Sequence, residues 1–296
     1  MTDSLHDFSV SVVLPVFNEE AQIGDLVRRI RKIGPDYEII IVDDGSSDNT
    51  RTEAENAGAT IISHPYNVGN GASVKRGCLQ AKGDIIVLLD ADGQHPPEEI
   101  PKLITHMADY DMCVAARTKH SQTSAFRNFG NAILNALGGW VTGNKIDDLT
   151  SGFRAIRRNC LYEYIHLFPK RYSYPTTITI AMMQGNHFVK YIPMDSIQSR
   201  KTGTSNIRPF HDFIRFVSIM LRVLILFSPN RFFLPLSLLT FMAGVCLSLY
   251  QWTVTGGIQA GGVMLMISTV IFFCFGLLAD QIADIRRSKN EASPFD

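Results

Sequence analysis

From Phe232 to Ala279 the chain runs 48 residues without a single Asp, Glu, Lys or Arg. A helix needs about 20 residues to cross the hydrocarbon core of a bilayer. The run therefore holds two crossings and leaves roughly eight residues for a turn, which Thr255-Gly256-Gly257 and Gly261-Gly262 supply. The alternative, a core hairpin of a soluble protein, would be unusually long and glycine-rich. Spans are expected at about 232–252 and 260–280. Arg222 and Arg231 precede the first, Arg286, Arg287 and Lys289 follow the second, and the Gln251–Gly262 connection has no charge. The positive-inside rule then puts both ends in the cytoplasm and the hairpin tip outside. Met1 to Ser9 is short and mixed, with no apolar signal region, so the rest of the chain is expected to stay cytosolic.

The 28 basic and 28 acidic residues cancel, which argues against nucleic acid as the main partner. An apolar share of 46% with 19% charged residues argues against disorder. Cys78, Cys113, Cys160, Cys246 and Cys274 form no CxxC pair and no metal-type spacing; they fit a reducing compartment rather than a disulfide framework.

The first 200 residues alternate two patterns. Val10–Val16, Tyr37–Val42, Thr60–Ser63, Asp84–Leu89 and Met112–Ala116 are apolar, strand-length runs. Between them, Glu19–Ile33 carries Ile23, Leu26, Val27 and Ile30 at helical spacing. Further helices are expected from Ser47 or Asp48 to Asn56, over Asn70–Ala81, and from Pro96-Pro97-Glu98-Glu99 onward, where proline and acidic residues suit a first turn. Continuous apolar strands separated by helices predict an α/β fold, a Rossmann-like, mostly parallel sheet with helices on both faces. Ligands of such sheets bind beyond the carboxyl ends of the strands. Those ends carry Asn18-Glu19, Asp43-Asp44 and Asp90-Ala91-Asp92.

Between this part and the spans, Arg208, His211, Asp212, Arg215, Ser218 and Arg222 fall three or four apart in an otherwise apolar stretch. One polar stripe on a wide apolar face suits a helix lying in the membrane interface; an amphipathic core helix is the other reading. The expected organisation is a cytosolic domain over 1–205, an interfacial helix over 206–228, two membrane helices within 229–283 and a cytosolic tail over 284–296.

Asp90-Ala91-Asp92-Gly93-Gln94 follows an apolar strand directly. Two carboxylates one residue apart, with an amide oxygen two further on, suit Mg2+ or Mn2+ shared with substrate phosphates. An isolated Asp-x-Asp is more often a solvated acidic turn; its place beside Asp43-Asp44 in the expected sheet raises its standing.

Pro15-Val16-Phe17-Asn18-Glu19-Glu20, Val42-Asp43-Asp44-Gly45-Ser46-Ser47-Asp48-Asn49-Thr50, Asn67-Val68-Gly69-Asn70-Gly71-Ala72 and Asp90-Ala91-Asp92-Gly93-Gln94-His95 occur in that order. Together they resemble the family 2 glycosyltransferases of the GT-A fold. Asp148-Leu149-Thr150-Ser151-Gly152-Phe153-Arg154 and Arg200-Lys201-Thr202-Gly203-Thr204-Ser205-Asn206 narrow the resemblance to the dolichol-phosphate mannose synthase-like group, which acts on polyprenyl phosphates. It covers about residues 9 to 206, and the hairpin fits members that carry their own anchor. The resemblance implies that Pro15, Glu19 and Asp44 hold the nucleoside, with Asn18 beside them, and that Asp90, Asp92 and Gln94 hold the metal and the donor diphosphate. Asp44 alone also reads as a turn-forming Asx residue before Gly45. Gly69 and Gly71 either admit the donor closely or make a tight turn before a helix. His95 reads as a surface residue or one behind the metal motif, and the eight histidines form no cluster.

On the acceptor side the resemblance implies that Arg117, Arg127 and Arg200 contact lipid or donor phosphate, a task the guanidinium fork suits. Asn131, four residues after Arg127, shares its helix face. Lys201 and Ser205 lie in a glycine-containing loop suited to closing over the site. Asp148 and Arg154 are candidates for a structural pair.

The implied function is a membrane-anchored, inverting transfer of sugar from a GDP- or UDP-sugar to dolichyl or undecaprenyl phosphate, with Asp92, Arg127 and Arg200 as the residues closest to the chemistry. Self-association is left open. Transfer to a hydroxyl of another lipid or polysaccharide would need a carboxylate base, for which Asp147-Asp148 is the nearest candidate. A non-catalytic membrane scaffold would be favoured by loss of the Asp-x-Asp or Asn-Glu motif, and both are intact.

Overall fold

The expected alternation of strand and helix folds into one seven-stranded sheet. The computed structural model describes residues 8–117, 125–170, 174–194, 218, 221, 224, 225, 228–257 and 259–291, with the side chains of 125–130 and 286–291 excepted. It divides into two compact units, Met1–Asp212 and Phe213–Asp296.

In the first unit the elements run β1 (Val10–Val16), α1 (Ile23–Ile33), β2 (Glu38–Asp43), α2 (Thr50–Asn56), β3 (Thr60–Ser63), α3 (Asn70–Gln80), β4 (Ile85–Leu88), α4 (Ile100–Thr105), β5 (Met112–Arg117), α5 (Ala125–Thr142), β6 (Arg154–Arg157), α6 (Arg158–Tyr164), α7 (Tyr174–Gln184) and β7 (Val189–Met194). The sheet order is β3-β2-β1-β4-β6-β5-β7. β1, β2, β3 and β4 pair in parallel, as do β5 and β7, while β6 runs antiparallel to both of its neighbours. The sheet is thus mostly parallel, as the apolar strands require. β6 escapes sequence reading because Arg154-Ala155-Ile156-Arg157 has charged ends and only two apolar residues; its neighbours, not its own pattern, make it a strand.

β1 is sandwiched. Val12, Leu14 and Val16 join Ile23, Leu26, Val27 and Ile30 of α1 in one core. On the opposite face α3 approaches so closely that a β-carbon on Gly77 would lie 2.5 Å from a methyl of Val13 and 2.9 Å from one of Val42. Burial of each such aliphatic side chain stabilises the fold by roughly 1.5–3 kcal/mol. α1 starts at Ile23 rather than Glu19. Residues 19–22 form a turn, because the Glu19 N–H is donated across to the Thr50 hydroxyl at 2.8 Å.

The strand order reverses at β1: β2 and β3 lie on one side, β4 on the other. A crevice opens beyond the carboxyl ends of the strands at such a point, and here it lies between the ends of β1 and β4.

Among the described residues, the second unit has two long helices, Asn230–Thr255 and Ala260–Glu291, each with a 26-residue stretch long and apolar enough to cross a membrane. Gly256, with φ 74°, ends the first in the left-handed conformation. The helices touch through small residues. Gly244 faces Leu265 and Met266, Gly262 faces Ser248, and the Thr240 and Thr269 hydroxyls are 3.1 Å apart. Small residues and hydroxyl pairs are how helices associate where lipid removes the hydrophobic drive. The second helix continues beyond the apolar run to Glu291. The proposed interfacial helix over 206–228 lies outside the described residues except at scattered positions.

Candidate active site

A cleft of about 440 Å³ opens at the crevice, within the size range of small-molecule sites. Six of the expected donor residues line it: Pro15, Glu19, Asp44, Gly69, Asp90 and Asp92. They arrive from the ends of β1, β2 and β4 and from the start of α3.

The loops are laced together by side chains. Asn18 sits at φ 55°, a region asparagine enters more readily than most residues. Its Oδ1 accepts the Ser47 N–H at 2.9 Å, and its own N–H is donated to the Ser46 hydroxyl. Asn18 thus holds the loop after β1 to the loop after β2 and does not itself line the cleft. Glu20 and Asp48 repeat the lacing, the Asn49 N–H reaching Glu20 at 2.9 Å and the Glu20 N–H reaching Asp48 at 3.2 Å.

Asp44 is only 4% exposed. Its carboxylate accepts the N–H groups of Val68 and Gly69 at 2.9 and 2.8 Å, and His64 Nδ1 lies 2.8 Å from it. It therefore shapes the loop before α3 as well as facing the cleft. Gly69, at φ 117°, lines the cleft. At Gly71 a β-carbon would collide with the Pro169 carbonyl, so the protein's own chain makes a close approach there. Phe17, Asn67, Asn70 and Ser73 also line the cleft. The sequence reading passed over these four, although the asparagines sit inside a motif it singled out for its glycines.

Asp90 and Asp92 both face the cleft. A β-carbon on Gly152 would collide with the Asp90 carboxylate, so glycine is needed where β6 approaches β4. Asp92 Oδ1 accepts the Gln94 N–H at 3.1 Å; Gln94 stands just outside the cleft lining. His95 is not a surface residue. It is 5% exposed and packs on Phe153 with ring centroids 5.4 Å apart. Burial pushes its pKa down to about 4, against the opposing charge of Asp92.

Arg117, at the end of β5, makes a bidentate pair with Asp148, Nε to Oδ2 at 2.7 Å and Nη2 to Oδ1 at 2.9 Å, and also reaches the Thr150 hydroxyl. Burial works against ionisation of Asp148, but the hydrogen bonds and charge of Arg117 outweigh it and hold the carboxyl below the usual carboxylate range. Arg117 also lies within electrostatic reach of Asp90. The partner of Asp148 is therefore Arg117, not Arg154. Arg154 is fully buried, donating to the carbonyls of Ser151 and Pro175 and the Thr179 hydroxyl.

α5 carries Arg127 and Asn131 one turn apart. Asn135 of the same helix donates to the Asp147 carbonyl at 2.8 Å and accepts the Leu149 N–H at 3.0 Å. That clasp fixes the loop bearing Asp148 to the helix. The Arg127 side chain, Arg200, Lys201 and Ser205 lie outside the described residues.

Residues 11–165 match the family model of glycosyl transferase family 2, and residues 228–285 match that of the GtrB C-terminal hairpin. The chain is 30% identical, over 94% of its length and 89% of the other's, to an undecaprenyl-phosphate 4-deoxy-4-formamido-L-arabinose transferase of Pectobacterium carotovorum. Its fold is similar to that of glucosyl-3-phosphoglycerate synthase from Mycobacterium tuberculosis. The complex of that protein with Mn2+ and UDP-glucose superposes with a TM-score of 0.60 at 22% identity, covering 73% of this chain and 79% of that one. Its complex with phosphoglyceric acid gives 0.59 at 22% identity, covering 73% and 80%. With the motif residues gathered at one crevice and the family model spanning 11–165, the chain belongs to glycosyl transferase family 2.

Proposed function

We propose that this membrane-anchored glycosyltransferase moves one sugar from a nucleoside-diphosphate donor to a polyprenyl phosphate, with inversion. The observation that carries the reading is the meeting of Pro15, Glu19 and Asp44 with Asp90 and Asp92 in one cleft. The anchored hairpin and the relative that acts on undecaprenyl phosphate support the acceptor class.

Asp44 and Glu19 offer carboxylate oxygens to donor hydroxyls or a base N–H. Asp90 and Asp92, with Gln94 beside them, are the residues that would hold a divalent cation, Mg2+ or Mn2+. Two carboxylates opening into the same cleft suit such an ion, and the fold relative captured with Mn2+ and UDP-glucose agrees. When bound, the ion supplies charge neutralisation to the departing diphosphate. Arg117, held rigid by Asp148, adds a fixed positive charge within electrostatic reach of Asp90. Arg127, Asn131 and Arg200 receive the acceptor phosphate.

An oxygen of that phosphate attacks the anomeric carbon. The new carbon–oxygen bond forms as the bond from that carbon to the diphosphate oxygen breaks, and the nucleoside diphosphate leaves with the electron pair. The second pKa of a phosphate monoester is about 6, so the nucleophile is already ionised and no general base is required. The chain's own contribution is positioning and electrostatics. This also weighs against a hydroxyl acceptor. Asp148 is committed to Arg117 and Asp147 pairs with Lys145 at 2.9 Å, so neither is poised as a base.

The test is a panel of labelled nucleotide sugars incubated with membranes that contain the protein, followed by lipid extraction. Label in a mild-acid-labile polyprenyl-phosphate sugar is the expected product. Label found only in polysaccharide or in a glycolipid without phosphate would overturn the acceptor assignment.

A further inference from the structure

The parallel strands put the donor carboxylates at one edge of the sheet. At the opposite edge, three residues distant in sequence come together. Asp111 directly precedes β5, Cys160 lies in α6, and His187 directly precedes the Phe188–Val189 entry to β7. One ligand atom from each, carboxylate oxygen, thiol sulfur and imidazole nitrogen, lies within 4.8 Å of the others. His187 Nδ1 is 3.6 Å from Asp111 Oδ2, and Cys160 Sγ is 3.9 Å from Asp111 Oδ1.

The geometry of His187 is informative. Its other nitrogen, Nε2, lies 3.1 Å from Glu163 Oε2. With the proton on Nε2 and donated to Glu163, Nδ1 presents a lone pair to the Asp111 carboxylate, across a gap too long for a hydrogen bond. Bonds to a tetrahedral cation of about 2.0–2.1 Å from nitrogen and oxygen and about 2.3 Å from sulfur separate nitrogen and oxygen ligands by roughly 3.3 Å, and sulfur and oxygen ligands by roughly 3.5 Å. The observed separations, one to each oxygen of Asp111, are a few tenths of an ångström larger, and Oδ2 also accepts the Phe188 N–H at 2.9 Å, so a cation would draw on both carboxylate oxygens or shift the side chain slightly. A carboxylate on the far nitrogen of a ligating histidine is also the usual way its tautomer and ring direction are set.

We propose that Asp111, Cys160 and His187 form a binding site for a borderline-soft divalent cation, Zn2+ by its mixed sulfur, nitrogen and oxygen donors, with Glu163 orienting His187. Binding replaces the thiol proton, which passes to solvent, and water completes the fourth position. One thiolate and one carboxylate cancel the charge of the ion. The centre is then neutral, and Arg157, whose Nε lies 3.6 Å from Asp111, can stay beside it. Side-chain exposures of 23% for Asp111 and 19% for His187 leave a route for entry. The site would tie β5, α6 and β7 together at the edge away from the donor.

The experiment uses the full chain in detergent, carrying Asp92→Ala so that the donor carboxylates contribute little. Cobalt is titrated as the spectroscopic stand-in for zinc. The expected result is a thiolate-to-cobalt charge-transfer band that saturates at one equivalent, is bleached by zinc, and is absent in Cys160→Ser. Glu163→Gln should weaken cobalt binding ten- to a hundredfold. Should Cys160→Ser fold poorly, His187→Gln serves instead, and a band of unchanged affinity in that variant would sink the proposal. Absence of any thiolate band, or its persistence in a folded Cys160→Ser, would do the same, the latter by assigning the band to another cysteine.

Discussion

Asp92 is the residue on which the proposed metal role turns. Its carboxylate faces the cleft and its Oδ1 also accepts the Gln94 N–H, so Asp92→Ala removes a proposed cation ligand and loosens the turn that presents Gln94. Transfer of labelled sugar to lipid should fall by at least about a hundredfold, on the order of 3 kcal/mol of lost transition-state stabilisation. Full activity, or activity in excess EDTA, would remove the metal role. The Arg117–Asp148 pair makes a prediction about stability. Arg117→Ala leaves a buried carboxylate unpaired and should destabilise the fold by roughly 3 kcal/mol, read as a lower Tm. The sign of the pH dependence follows from Asp148. Its folded pKa lies below the ordinary carboxylate value because of Arg117, so the stabilisation is complete above about pH 4 and drains away as pH falls through the lower folded value. Asp148→Asn should lose that acid-limb component in denaturation curves measured across this range; an unchanged limb would mean that the pair does not stabilise the folded state.

At the scale of elements, α5 would link the proposed donor and acceptor phosphate regions. Asn135 clasps the loop that carries Asp148, and Asp148 holds Arg117 within electrostatic reach of Asp90. Arg127 stands on the same helix, which motivates its assignment to the acceptor. Arg127→Ala should lower efficiency towards polyprenyl phosphate roughly ten- to a hundredfold, the loss of one charge-assisted contact worth about 1.5–3 kcal/mol. Nucleotide-sugar binding, followed by calorimetry, should be nearly unchanged; lost donor binding at an unaltered acceptor KM would move the arginine to the diphosphate side. The hairpin depends on its small residues in the same way that α3 depends on Gly77. A side chain at Gly244 would press on Leu265 and Met266, so Gly244→Leu should weaken the packing of the two helices, visible as faster proteolysis of the hairpin in detergent.

For the whole molecule, the proposed topology places the catalytic unit and both termini in the cytoplasm, with the uncharged Gln251–Gly262 connection outside. Tags at Met1 and Asp296 should be protected together in sealed right-side-out vesicles, and one near Gly257 should be accessible. Opposite protection of the two ends would require an odd number of spans.

The apolar strands, the helical spacing of Ile23, Leu26, Val27 and Ile30, and the charge-free run from Phe232 to Ala279 were legible because burial and lipid impose local, periodic patterns. The donor site was legible for a related reason: a parallel sheet delivers its strand ends to one edge, so Glu19, Asp44 and Asp90 could be expected together before any distance was known. Tertiary structure alone decided the rest. β6 is a strand only because β4 and β5 flank it, and its antiparallel direction brings Gly152 against Asp90. Asp148 chose Arg117, 31 residues away, over the nearer Arg154. The cluster of Asp111, Cys160 and His187 has no sequence signature, since its members are separated by 49 and 27 positions. Contacts of that kind are set by how elements pack across the sheet, and packing depends on shape and chain path, which a local pattern of residues does not encode.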